Sequence, residues 1–314
     1  MTTEQVIAFA EGHRTLDDYV YLLVDGLAEC APEYPLSVPS LIQTLGEAAV
    51  ARVLRPDLAH TPEACPALVQ LAAPGEAVSK GYLDLSARYA IDDLAYNKRY
   101  VCGWLLSPQP LGVIARHIAA QCHTAAPIRG EAMSPWFEPI RLELLAASMG
   151  GQIGGMLMPI GAWLFPTSWG SYALLRSTAT PKEAALPQLA RETQQAAPLI
   201  TDFLGSWRHA LEYPLGFSPW RWKGTTVLPP QAGTHAFRLV RDARRLGLSN
   251  SRDIVALSLH RVFIHPHLPQ HPDIQRDIAA AAAGIAGLQE RFTTYDDTTW
   301  MRIAASLPRA ESYT

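Results

Sequence analysis

Gly150-Gly-Gln-Ile-Gly-Gly-Met-Leu-Met-Pro159-Ile-Gly-Ala-Trp163-Leu-Phe165-Pro166, continued by Thr167-Ser-Trp169-Gly-Ser-Tyr-Ala-Leu-Leu175, is most of a 32-residue run, 144–175, without one charged side chain. Such a run either crosses a bilayer, for which about 20 apolar residues suffice, or forms the buried centre of a globular domain. Pro159 and Pro166 favour the second, because each interrupts a helix and removes a backbone donor that lipid cannot replace. Ser148, Gln152, Thr167 and Ser168 add polar groups, and no Lys/Arg cluster flanks either end as an orientation signal. The glycines at 150/154 and 151/155 have GxxxG spacing, which in a soluble protein allows close helix packing. The expected arrangement is a helix over 149–158, a turn at Pro159 and a strand over 171–175.

Outward from this run, the amino-terminal half alternates strand-like and amphipathic segments. Tyr19-Val-Tyr-Leu-Leu-Val24 is β-branched and aromatic and ends at Asp25-Gly26. Residues 65–71 form a short apolar run closed by Pro74-Gly75, and Tyr100-Val-Cys-Gly-Trp-Leu-Leu106 stops at Ser107-Pro108. Helical spacing covers 39–54, 81–96 and 111–122. After Arg176 the pattern becomes helical. Thr180-Pro181 offers an N-cap and a first-turn proline, His271-Pro272 repeats the device, and 203–213, 234–246 and 251–263 have helical period. The connector 213–224, followed by Pro229-Pro230, is too rich in Pro, Gly and Trp for regular structure. The tail after Leu307 is expected to be loose. The expected fold class is α+β: an α/β lobe with a small sheet over 1–178 and a mostly helical lobe over 179–314.

With 48% apolar and 18% charged residues in 314, the chain belongs with ordered globular proteins that bury a sizeable core. A net charge of −3 offers no basic field for nucleic acid. Residues 1–12 contain Glu4 and Glu11 and lack the apolar segment of a signal peptide. Cys30, Cys65, Cys102 and Cys122 form no CxxC pair and read as buried thiols of a reducing cytoplasm.

Catalytic signatures are scarce. GxSxG, HExxH and GxxxxGK[ST] are missing, and the glycines at 150–155 are not in the GxGxxG frame. His260, His265, His267 and His271 fall within twelve positions, and the His265-Pro-His267 pair could hold a metal if Asp273 or His260 completed the shell. The proline-punctuated loop favours wet turn histidines instead, so no metal and no cofactor is implied. Glu138 is a candidate catalytic acid without a second carboxylate at a recognisable spacing. A carboxylate at the start of a helix beginning near Ile140 is the plainer reading. Trp220, Arg221 and Trp222 are of the residue types that anchor interfaces, or else they fill a groove between the lobes.

The order of segments resembles the adaptor chaperones of type VI secretion, a bacterial family encoded between spike-protein and toxic-effector genes. The shared pattern comprises the strand ending at Asp25, Pro66-Ala-Leu-Val-Gln-Leu71, Gly103-Trp-Leu-Leu-Ser107 and Arg116-His117-Ile118. It continues with the aromatic turn Pro135-Trp136-Phe137-Glu138-Pro139 followed by Ile140-Arg141, and closes with Pro159-Ile-Gly-Ala-Trp163. The family's arginine before the aromatic pair is Pro135 here and its aspartate is Glu138, which leaves Arg141 to brace the turn. The resemblance implies a non-enzymatic cytoplasmic adaptor that binds an effector and helps load it on a spike protein of the VgrG type, without nucleic-acid binding or membrane insertion. Effector binding is then expected around Trp207, Phe217, Trp220, Arg221 and Trp222. The competing reading is an enzyme using Glu138 or the histidines at 260–271.

Overall fold

The computed structural model describes residues 1–126, 133–178, 186–213, 217 and 227–309. The chain divides into two compact units, Met1–Gln195 and Ala196–Thr314; the sequence changes character at 178/179.

The first unit is organised by one sheet of six strands in the order β2-β3-β1-β4-β5-β6, with every pairing antiparallel. The strands are β1 (Tyr19–Val24), β2 (Val50–Arg52), β3 (Ala67–Ala72), β4 (Val101–Ser107), β5 (Ala162–Pro166) and β6 (Tyr172–Arg176). Helices cover both faces. On one face α1 (Thr3–Gly12), α2 (Val38–Leu45) and α3 (Lys80–Asp92) bury Val20, Leu22, Val24, Trp104 and Leu106. On the other, α4 (Leu111–Thr124), α5 (Pro139–Met149) and α6 (Ile153–Leu157) bury Tyr21, Leu23, Leu105, Trp163 and Phe165. Burial on both faces explains why β1 and β4 are continuous apolar runs, where a half-exposed antiparallel strand would alternate. The class is therefore α+β, and the strand–helix alternation does not produce parallel pairing.

Several segments differ from expectation. The helix expected over 39–54 stops at Leu45, where Gly46 takes a positive φ, and Val50–Arg52 pairs as an edge strand. α1 was not anticipated; Thr2 and Gln5 form a capping box at its start. The helix expected over 149–158 is not continuous, since α5 ends at Met149 and a 3-10 turn, Gly150–Gln152, precedes α6. Pro159, in a cis peptide bond with Met158, makes the turn, and its carbonyl accepts from Ser107 Oγ at 2.8 Å. The run then contains two strands, β5 and β6, rather than one. Residues 162–168 are buried, and among the described residues no helix is long and apolar enough to cross a membrane.

The aromatic turn packs onto the sheet. Trp136 and Trp163 are fully buried, with ring centroids 5.2 Å apart in an edge-on arrangement. Each indole finds a carbonyl: Trp136 Nε1 donates to Ile118 O at 3.1 Å, and Trp163 Nε1 to Cys102 O at 3.3 Å. Gly103 makes this approach possible. Its φ is +138°, and a Cβ there would lie 2.4 Å from Leu164 O and 2.5 Å from Trp163 Nε1.

The helix α7 (Gln188–Glu212) is longer than the expected 203–213 and contains the division between the units. The second unit continues with α8 (Ala232–Arg245), α9 (Ser251–Phe263), α10 (Pro272–Ala282), α11 (Leu288–Thr293) and α12 (Asp297–Ser306). α8 closes with Gly247 at φ +90°: Leu248 N donates to Ala243 O at 3.3 Å and Gly247 N to Arg244 O at 3.0 Å, the Schellman pattern. α10 begins as expected, with Pro272 first and His271 Nδ1 accepting from Asp273 N at 3.2 Å. The helix start expected at Thr180 and the tail beyond Arg309 lie outside the described residues.

Trp136→Ala should cost about 3–5 kcal/mol, the usual loss for truncating a fully buried indole. Urea denaturation measures it. An unchanged midpoint would contradict the packing of the aromatic turn.

Candidate functional site

Two places gather polar or aromatic side chains in patterns that call for explanation. The first surrounds the end of β1. Asp25 is fully buried and its Oδ1 accepts from Leu27 N at 3.0 Å. A buried carboxylate needs a counter-charge, and Lys98 Nζ stands 2.9 Å from Asp25 Oδ2, close enough for an ion pair though outside hydrogen-bond angles. Lys98 also pairs with Glu138 Oε1, and Arg141 Nε donates to Glu138 Oε2 at 2.9 Å. Arg141 Nη1 donates to Ser134 Oγ at 3.2 Å and to Gln194 O at 3.0 Å. Burial works against the Lys98 ammonium, but Glu138 and Asp25 together outweigh it and hold its pKa above the ordinary lysine value.

This chain of charges ties β1 to the aromatic turn and to α7. Glu138 is the N-cap residue of α5, yet its side chain makes no capping bond. The carboxylate thus stands at the start of α5, as expected, with both oxygens engaged by cations in place of a capping hydrogen bond. Phe137 is also fully buried, with the Arg55 guanidinium 5.9 Å above its ring. Pro139 occupies the first turn of α5, where its missing donor costs nothing.

The segment carrying Lys98 is held by its neighbour. Arg99 is buried and reaches Asp93 Oδ1 at 3.5 Å and Thr167 O at 3.2 Å, while Asp93 Oδ2 accepts from Tyr100 N at 2.8 Å. Burial raises the Asp93 pKa to about 6 in spite of the Arg99 charge. Burial also lowers the Arg99 pKa.

The second place is a groove of about 710 Å³ in the carboxy-terminal unit, running along α9 from Ser251 to Ile264. Leu199, Asp202 and Ser206 of α7 form one wall; Phe292, Tyr295, Asp297 and Trp300 form another. Phe217 lies on this groove, and its backbone N donates to Asp297 Oδ1 at 3.2 Å. His260 sits between aromatic rings, 4.6 Å from Phe292 and 5.0 Å from Trp300 by centroids. Its Nδ1 donates to Ala256 O at 2.7 Å, which leaves Nε2 as the acceptor of the neutral ring. Burial pushes its pKa down and so favours that neutral form.

The histidines therefore do not share one wet loop. His260 belongs to the aromatic wall of α9, and His265 is buried, with Nδ1 accepting from His267 N at 3.2 Å. His271 caps α10. Among the described residues, no group of three or more His, Cys, Asp or Glu side chains is placed to hold a metal ion.

Of the side chains expected at a partner surface, Phe217 lines the groove, and Trp220, Arg221 and Trp222 lie outside the described residues. Trp207 does not belong to an exposed surface. It is only 3% exposed, stacked on Phe203 at 5.6 Å and beside His235 at 5.8 Å. Sequence reasoning missed the groove residues Val255, Leu259, Phe292 and Trp300. The spacing Val255/Leu259 within α9 and the aromatics at 292, 295 and 300 were the available signal. Comparison with protein-family models, curated proteins and solved structures finds no match to this chain.

The Asp93 shift makes a signed prediction. Its folded pKa, about 6, exceeds the ordinary 3.8, so the folded state holds the proton longer than the unfolded state. The stabilisation present below the unfolded pKa is lost as pH rises through about 6. Relative to Asp93→Asn, the native protein should lose up to ~3 kcal/mol across that window, at about 1.36 kcal/mol per pKa unit. Urea midpoints of both proteins measured across it test this. A pH-independent difference would contradict it.

Proposed function

We propose that the protein is a non-enzymatic adaptor chaperone that holds a segment of a type VI secretion effector and helps pass it to a VgrG-type spike protein from the cytoplasmic side. The observation that carries this reading is the ordered set of segments resembling the adaptor family. Each of them occupies a defined place in the six-stranded unit: Pro66–Leu71 leads into and forms β3, Gly103–Ser107 forms the end of β4, and Pro135–Pro139 is the turn that seats α5. The substitution of the family's aspartate by Glu138 is accommodated by Arg141 and Lys98.

Two further points support the reading. Glu138, named in the enzymatic alternative, has both oxygens engaged by cations, and His260 and His271 serve in ring packing and helix capping. The groove along α9 has the lining of a peptide-recognition surface, in which an amphipathic helix lays apolar residues at helical spacing against aliphatic and aromatic walls. α9 spans 13 residues, about 20 Å at ~1.5 Å per residue, which matches three to four turns of a bound helix.

Co-expression with the products of the neighbouring genes, among which the proposal expects an effector and a spike protein, tests it. The expected result is a soluble complex containing this chain and the effector. Phe217→Ala combined with Leu259→Glu should leave the circular dichroism spectrum unchanged and weaken effector binding about thirtyfold or more, the effect of losing ~2 kcal/mol at an interface centre. Undiminished binding by that variant would remove the groove from the account. Failure of the effector to co-purify with the native chain would contradict the adaptor reading itself.

A further inference from the structure

A second surface of the carboxy-terminal unit is chemically unlike the groove. α8 reads Ala-Gly-Thr-His-Ala-Phe-Arg238-Leu-Val-Arg241-Asp242-Ala-Arg244-Arg245, placing four arginines and one aspartate in eight residues of a chain whose net charge is −3. Ala232, Ala236, Leu239, Val240 and Ala243 are buried, so one side of α8 faces the core. Arg238, Arg241 and Arg245 follow at i, i+3 and i+7, which puts them on one stripe of the opposite side. Arg238 and Arg245 are exposed, Arg245 by 66%, and Arg241 is half-buried.

Little in the unit neutralises the stripe. Asp242 lies 3.8 Å from Arg245 and 3.4 Å from Arg261, so its single charge is shared. Arg238 and Arg244 have no carboxylate within ion-pair distance among the described residues. Arg241 is oriented by its own helix: its guanidinium lies 5.4 Å over the Phe237 ring, and its buried Nε has no hydrogen-bond partner. The positive field registers on His235, whose pKa falls to about 4, first through burial and then through the charges of Arg238 and Arg261. None of the groove-lining residues comes from α8.

We propose that the solvent face of α8 is a docking surface for an acidic α-helical segment of a partner protein, engaged by Arg238, Arg241 and Arg245. Three features favour this occupant. The stripe is built from arginine alone, whose planar fork pairs with carboxylates through two parallel hydrogen bonds where lysine offers a point charge. Seven residue steps along α8 span about 10 Å, and carboxylates at i, i+3 or i+4, and i+7 on a second helix repeat at the same interval. The stripe is short and sits on a chain of net negative charge, which opposes the extended polyanion of a duplex or a vesicle surface. This surface does not rest on the adaptor reading. Its arginines are not among the groove-lining residues and are not altered in the preceding test, so the two can fail separately.

The probe is a synthetic 20-residue helical peptide with Glu at i, i+4 and i+7 on one face, compared by fluorescence anisotropy with the same peptide carrying Gln there. Duplex DNA and phosphatidylserine vesicles are run alongside. The expected result is binding of the Glu peptide alone, weakening severalfold as added salt screens the charges. Arg238→Glu with Arg245→Glu should weaken it at least tenfold at an unchanged melting temperature. The milder pair Arg238→Lys with Arg245→Lys should lose about threefold through the missing fork. If the glutamate-reversal variant does not fold, the lysine variant carries the test. Equal binding of the Gln peptide, no binding of either, indifference to the lysine variant, or tighter binding of DNA or vesicles through the same arginines would overturn the proposal.

Discussion

Strand β1 has partners on both edges and helices on both faces, and the rest of the amino-terminal unit answers to that burial. Its apolar run can be continuous because Val20 to Val24 are buried on both faces. The cost appears where the run ends. Asp25 places a carboxylate in a fully buried position, which water cannot solvate and which only a nearby cation makes tolerable. Lys98 supplies that cation, Glu138 balances Lys98, and Arg141 balances Glu138. One buried charge at the end of a strand thus fixes the aromatic turn at Pro135–Pro139 and, through Arg141 and Gln194, the start of α7.

The same dependence explains what was legible in the sequence. β1, β3 and β4 were readable because buried strands are short apolar runs ended by turn residues, and 19–24, 65–71 and 100–106 all have that form. β5 was not. Ala162–Pro166 is one of two strands in an uncharged run, begins three residues after the turn at Pro159 and itself ends on a proline, a residue that argues against a central strand. β2 was hidden inside a helical pattern over 39–54, because the break at Gly46 depends on a backbone conformation rather than on hydrophobic period. Antiparallel pairing was also out of reach, since alternation of strand and helix does not reveal how connections cross the sheet.

Site residues divide in the same way. The roles of Asp25, Glu138 and Arg141 became visible only when residues far apart in sequence were brought together by the sheet. Trp207 has the composition of an interface anchor but the environment of a core residue, and composition alone does not separate the two. The lining of the groove draws on α7, α9, α11 and α12, so no single sequence window contains it. What the sequence could offer was the order of segments that resembles an adaptor family, and that order is what the functional proposal rests on.

An adaptor needs a rigid scaffold and a surface that takes hold of a segment not its own. The braced six-stranded unit has the first property, and the α9 groove, with its aliphatic, aromatic and neutral imidazole lining, is suited to the second. Hydrogen–deuterium exchange of the chain with and without the effector proposed as its partner tests this division of labour most directly. The account predicts that effector binding slows exchange along Ser251–Phe263 and Asp297–Ser306 and leaves β1, β3 and β4 unchanged. Slowed exchange confined to the six-stranded unit, with α9 and α12 unaffected, would contradict it.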